Sequence, residues 1–161
     1  MLFRSAFPSR PITIVVPYPP GGATDTIGRV MAERMKSSLG QPVIVEDVTG
    51  AGGTIAVGRV ARAAPDGYTL GLGNNSSHVV AGATYALQYD LLNDFEPVAM
   101  LSTGPFVLVA KKTMPVNDLK GLIAWLMANP DKATQGHPAT GGLAHIAGLF
   151  LQREKIGRAH V

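Results

Sequence analysis

Apolar residues come in short blocks along the chain, and the spacing inside the blocks alternates between two kinds. Ile12-Thr13-Ile14-Val15-Val16 is a β-branched run closed by Pro17, the pattern of a strand buried on both faces in a parallel sheet. Ile27, Val30, Met31, Met35 and Leu39 then recur at helical spacing, with Thr24 or Asp25 as N-cap candidates and Gly40 as the stop. The unit repeats: Val43-Ile44-Val45 reads as a strand, Thr49 to Gly53 as a loop, and Thr54 to Ala63 as a helix. Pro65-Asp66-Gly67 turns the chain into a third strand, Tyr68 to Gly73, followed by the polar loop Asn74-Asn75-Ser76-Ser77-His78.

Beyond this point the pattern loosens. Ala81 to Asp94 reads as loop with one short helix. Val98 to Ser102 and Phe106 to Ala110 have strand composition around Thr103-Gly104-Pro105, and Val116 to Ala128 reads as a helix starting near Asn117 or Asp118. A brief strand near Ala133 to Gln135, a loop from Gly136 to Gly142 and a helix from Leu143 to about Glu154 complete the series. Alternating strands and helices predict an α/β fold with a parallel sheet and helices on both faces, because parallel strands require crossovers. A new series starts near residues 101–105, which predicts a domain change there.

Composition narrows the function. Of 161 residues, 46% are hydrophobic, enough for one core, and 14 basic side chains against 11 acidic ones leave an excess of only +3. With no basic run longer than Lys111-Lys112, nucleic acid is not an expected partner. No stretch has the roughly 18 unbroken apolar residues of a membrane span, so no membrane insertion is expected. The start MLFRSAFPSR lacks the apolar core of a secretory signal. Both ends read oddly: LFRS, Leu2 to Ser5, and IGRAHV, Ile156 to Val161, translate strings found in common short-read sequencing adapters. Residues 1–7 and 155–161 are therefore expected to be non-native flanks, and without Arg4 and Arg158 the charge is nearly balanced.

Candidate chemistry gathers in three loops. In open α/β sheets ligands lie beyond the carboxyl ends of strands, where helix N-termini aim unpaired N–H groups outward and favour an anion. Tyr18 to Asp25, Gly73 to His78 and Gly136 to His145 are placed this way, with glycine allowing close approach and proline limiting the loop's freedom; the same residues can equally serve as plain turns. Dinucleotide binding is disfavoured, because Gly50-Ala51-Gly52 begins a G-x-G-x-x-G but Ile55 stands at the third glycine. Gly53 and Gly58 have a phosphate-loop spacing, yet Arg59 and Val60 replace its Lys and Ser or Thr. His78, His137 and His145 form no metal-ligand spacing, no G-x-S-x-G appears, and a chain without Cys has no thiol nucleophile, so no catalytic residue, metal or cofactor is assigned. Asp25 reads as a general base or, more simply, as a helix cap; His145 either donates to a ligand carboxylate or packs against the sheet. Asp90 and Asp94 read as a solvated face.

The motifs "PSRPITIVVPYPPGGATDTIGR", "LGQPVIVEDVTGAGGTIAVGRVARAAPDGYTL", "DFEPVAML" with "FVLVA", and "GHPATGGLAHIAG" together resemble, in this order, the substrate-binding receptors of tripartite tricarboxylate transporters, the Bug-type periplasmic binding proteins. The resemblance runs from Pro8 to about Arg153. It implies a type II periplasmic-binding-protein fold: a parallel-sheet lobe at 8–102 without its C-terminal return, and the beginning of a second α/β lobe at 103–154. It also implies a periplasmic, non-catalytic receptor that binds a small carboxylate or dicarboxylate and hands it to membrane permease subunits. By that resemblance Tyr18, Pro20, Gly21, Gly22, Ala23, Thr24 and Asp25 grip a carboxylate through backbone N–H groups, Asn74, Asn75, Ser76 and His78 line the same cleft, and Thr140, Gly141, Gly142 and His145 come from the second lobe. Two departures stand out. Gly142 replaces a Ser or Thr usual in the second-lobe loop, and Asn74-Asn75 replace smaller residues. The alternative is an α/β enzyme using the same cleft, with Asp25 or His145 as base. Family members are about twice this long.

Overall fold

A computed structural model describes residues 7–132, 134–137 and 140–153. The chain divides into two units, Met1–Leu101 and Ser102–Val161.

The first unit is built on three parallel strands, β1 (Ile12–Val16), β2 (Val43–Asp47) and β3 (Thr69–Gly71), in the order β2-β1-β3. Ile14 lies opposite Val45 on one side and Leu70 on the other, which fixes the register. The central place of β1 explains its composition: Ile12, Ile14, Val15 and Val16 are each at most 2% exposed. Helix α1 (Ala23–Leu39) covers the face formed by Ile14, Val16, Val43, Val45, Leu70 and Leu72, bringing Ala32, Met31 and Met35 against them. The approach is close because Gly28 faces the sheet; a Cβ there would sit 3.1 Å from Leu72 and 3.2 Å from Val16. Helix α2 (Thr54–Ala61) covers the other face, with Ala56 and Val57 buried and Val60 over Gly71. Arg59 of α2 is ion-paired with Glu46 of β2 on that side. Each Ile or Val side chain fully withdrawn from water contributes roughly 1.5 to 3 kcal/mol.

Gly40 ends α1 in the left-handed conformation, φ 67°, its N–H donated to the Lys36 carbonyl, as the sequence predicts. The N-terminus differs from expectation. Gly22, not Thr24 or Asp25, is the N-cap, and Asp25 lies one turn inside, where its side chain turns back on the loop. The polar loop after β3 is also shorter than expected. Asn74 Oδ1 accepts from Ser76 N and Ser77 N, and that local cap starts a wide helical turn, Ser76–Val80, running on into α3 (Ala81–Thr84).

In the second unit α4 (Leu119–Ala128) and α5 (Leu143–Leu151) form within the expected spans. The strands expected at Val98 to Ser102, mostly in the first unit, and at Phe106 to Ala110, in the second, do not form: 98–110 has no ladder partner among the described residues, and Val98, Met100, Val107 and Val109 stay exposed. Strand propensity expresses a fit to a neighbouring strand, so composition alone cannot make a ladder. Of the brief strand expected at Ala133 to Gln135, residue 133 lies outside the described residues, and 134 and 135 are not in a strand.

Candidate functional site

Parallel strands end on one edge, so the loops after β1, β2 and β3 are neighbours. The structure brings them close: at Gly53, φ 98°, a Cβ would lie 3.0 Å from Pro17 and 3.1 Å from Ser77. Pro17 and Ser77 are fully buried, which makes a rigid floor under the loops. On this floor the Tyr18 hydroxyl donates to Asn74 Oδ1 at 2.8 Å, tying the loop after β1 to the loop after β3. Pro20, Gly21, Gly22 and Ala23 are exposed beside it, and Thr24 is partly so.

The N-terminus of α1 has an unusual arrangement. Gly22 as N-cap offers no side chain to the first-turn N–H groups, leaving the positive end of a 17-residue helix open. Gly21, φ 84°, donates its N–H to Asp25 Oδ2 at 2.7 Å, so the carboxylate fixes the loop from behind rather than capping the helix. Asp25 is 3% exposed, with Arg29 Nε 2.7 Å from its Oδ1, and Arg29 Nη2 reaches Asp47 Oδ2 at 3.0 Å. The Arg29 hydrogen bond, joined by that of the Gly21 N–H, holds the Asp25 carboxyl below its ordinary value. Both oxygens of Asp25 are engaged, which makes it a poor proton acceptor.

After β3, Asn74 serves as a hub: its Oδ1 accepts from Tyr18, Ser76 N and Ser77 N. Asn75 is exposed and Ser76 half-buried. The His78 ring packs edge-on against Phe95, its Nδ1 lies 3.0 Å from Ser77 Oγ, and burial lowers its pKa.

The second unit repeats the α1 device. Gly141 has φ 74°, Gly142 is the N-cap of α5 with φ −79° and ψ 168°, and Gly141 donates its N–H to His145 Nδ1 at 3.1 Å. Gly22 has nearly the same backbone, φ −77° and ψ 171°. Thr140 is exposed and Gly142 buried. Helix α4 shows the contrast: Asp118 caps it in the ordinary way, accepting from Gly121 N at 2.7 Å. The expected residues thus fall into two clusters, Tyr18 to Asp25 with Asn74 to His78 in the first unit, and Thr140 to His145 in the second.

Three contributors escaped the sequence reading. Arg29 was legible as the i+4 partner of Asp25. Asp47 and Gly53 had no such signal, since only strand register and loop convergence bring them to this edge, and Ser77, inside the expected loop, turns inward as part of the floor. Among the described residues no group of three His, Asp or Glu side chains is placed to hold a metal ion.

The model of the family described as "Tripartite tricarboxylate transporter family receptor" matches residues 27–159. The chain belongs to this family. Protein BugT of Bordetella pertussis is 40% identical over 148 residues, which covers 91% of this chain and 45% of BugT. Among solved structures, MatC from Rhodopseudomonas palustris with bound malate superimposes with a TM-score of 0.84 at 39% identity, over 96% of this chain and 53% of MatC. The periplasmic binding protein BugD superimposes with a TM-score of 0.79 at 34% identity, over 94% of this chain and 51% of BugD. The α/β fold with a parallel sheet is therefore that of periplasmic binding proteins, as the sequence motifs imply. The chain spans about half the length of the relatives it matches. Among the described residues no helix is long and apolar enough to cross a membrane.

Proposed function

We propose that these residues belong to a periplasmic receptor that binds a small carboxylate or dicarboxylate and delivers it to the membrane permease subunits of a tripartite transporter. The carrying observation is the open N-terminus of α1, where Gly22 leaves first-turn N–H groups uncapped beside exposed Pro20, Gly21 and Ala23. A helix end of this kind recognises an acid group through amide protons and the helix dipole, without a formal positive charge. Tyr18, Thr24, Asn74, Asn75, Ser76 and His78 then supply polar groups beside it in the first unit, and Thr140, Gly141, Gly142 and His145 are proposed as ligand contacts of the second unit taken by itself. The solved malate complex of MatC supports the ligand class. The enzymatic alternative draws no support from Asp25, whose oxygens are held by Gly21 and Arg29.

Calorimetry and thermal shift on the full-length protein, across mono- and dicarboxylates including malate, test this reading. Stabilisation by at least one carboxylate, weakened by Gly22→Pro, is the expected result. Stabilisation by sugars or cations with no response to any carboxylate would falsify it.

A further inference from the structure

The two glycine loops share a backbone path but are held by different chemistry. In each, a left-handed glycine donates its N–H to the side chain four residues on, and that side chain is Asp25 in one loop and His145 in the other. A carboxylate accepts over the whole working range of pH, and Arg29 keeps Asp25 ionised. An imidazole accepts only through an unprotonated ring nitrogen, and imidazolium has two donors and no acceptor. We infer that His145 is a positioning residue whose neutral ring latches the Gly141-Gly142 loop, so that carboxylate binding weakens as the ring is protonated. This rests on the carboxylate-receptor reading.

With Nδ1 accepting from Gly141, the ring proton of His145 sits on Nε2. A second proton must enter at Nδ1, where it meets the Gly141 N–H head on and the ring has to turn away. Neither α5 nor 140–142 carries another titratable side chain. The facing titratable group from 134–137 is His137, its ring centroid 4.5 Å from that of His145 and its buried Nδ1 without a partner. An added positive charge near an anion would by itself tighten binding, so the direction of the pH effect separates a latch from simple attraction.

The experiment measures the dissociation constant of the full-length protein for malate, or for whichever carboxylate the panel selects, from pH 8 to pH 5.5. Imidazoles titrate in this interval, and the wild type is expected to lose affinity several-fold, up to about tenfold. His145→Asn places an amide oxygen where Nδ1 stood, accepts from Gly141 at every pH, and is expected to flatten the profile. His145→Ala removes the acceptor and is expected to be weak and flat, while His137→Gln keeps the pH dependence. Titration of the ligand is common to all four proteins and cancels in the comparison. Circular dichroism at each pH confirms that every variant is folded. A profile of unchanged slope in His145→Asn, a wild type that is flat, or affinity rising with acid would each overturn the latch. Absence of binding by any carboxylate at pH 8 would instead remove the receptor reading beneath it.

Discussion

The two units carry one loop device on different foundations. In the first, the loop after β1 stands on a sheet whose central strand is almost wholly buried, and Asp25 is braced through Arg29 to Asp47 at the end of β2. In the second, the same backbone path at Gly141-Gly142 leads into α5, whose Ile146, Leu149 and Phe150 are exposed. The left-handed glycine, the glycine N-cap and the side chain at the third helical position are therefore a local instruction. What surrounds them decides how firmly they are held, and the largest difference between the units is expected in packing. Ile14→Ala, in the core under α1, is expected to cost about 2 to 5 kcal/mol in urea denaturation, whereas Leu149→Ala, at a position 41% exposed, is expected to cost less than about 1 kcal/mol. Equal losses at the two sites would mean that the second unit is as firmly packed as the first.

The glycine conformation offers a sharper contrast within one unit. Gly21 sits at φ 84° with nothing within 4 Å of a notional Cβ, so a substitution there meets backbone strain and no collision. Gly21→Val is expected to lose about 1 to 3 kcal/mol, shown as a lowered melting temperature together with weaker carboxylate binding. If binding survives while the melting temperature falls, the loop tolerates another path and the amide groups of α1 are not what it displays.

Between the two kinds of helix start, the ordinary one is the easier to test. Asp118→Ala removes the acceptor for Gly121 N at the head of α4 and is expected to cost about 1 kcal/mol in thermal denaturation, with carboxylate affinity unchanged. A variant that lost affinity would place α4 in recognition and erase the distinction between capped and open helices.

The sequence disclosed most of the first unit because each element there satisfies its own local rules. β1 reads as a doubly buried strand and is one, and Gly40 stops α1 where a left-handed residue is needed. The glycine N-cap was misread because Thr24 and Asp25 are better capping residues by propensity; the structure uses Asp25 to hold Gly21 instead. The apolar segments within 98–110 were misread for a different reason: a strand exists only with a partner, and the partner is not a property of the segment. The candidate loops were legible from glycine placement beyond strand ends, whereas the Arg29 and Asp47 brace and the floor of Pro17, Gly53 and Ser77 depend on register and convergence.

The smallest expected effect lies in acid and again separates two side chains of the first unit. Burial lowers the pKa of His78, so the folded state disfavours the charged ring and the unfolded chain binds the proton more readily. Stability from this source is complete above the ordinary imidazole value of 6.5 and is lost as pH falls through the lower folded-state value. Asp25 has the same sign in a lower window. Its carboxyl is held down by Arg29 and Gly21, so its contribution is complete above the ordinary 3.8 and fades only as pH falls through its lower folded-state value. Denaturation midpoints followed from pH 8 to pH 3 are expected to show a shallow first decline beginning near pH 6.5 and a later one below pH 4. His78→Gln, which cannot take up a proton, is expected to reduce only the first decline, and Asp25→Asn to reduce only the second. If His78→Gln leaves the upper decline intact, the proton is entering elsewhere, and His137 or His145 of the second unit becomes the group to replace next.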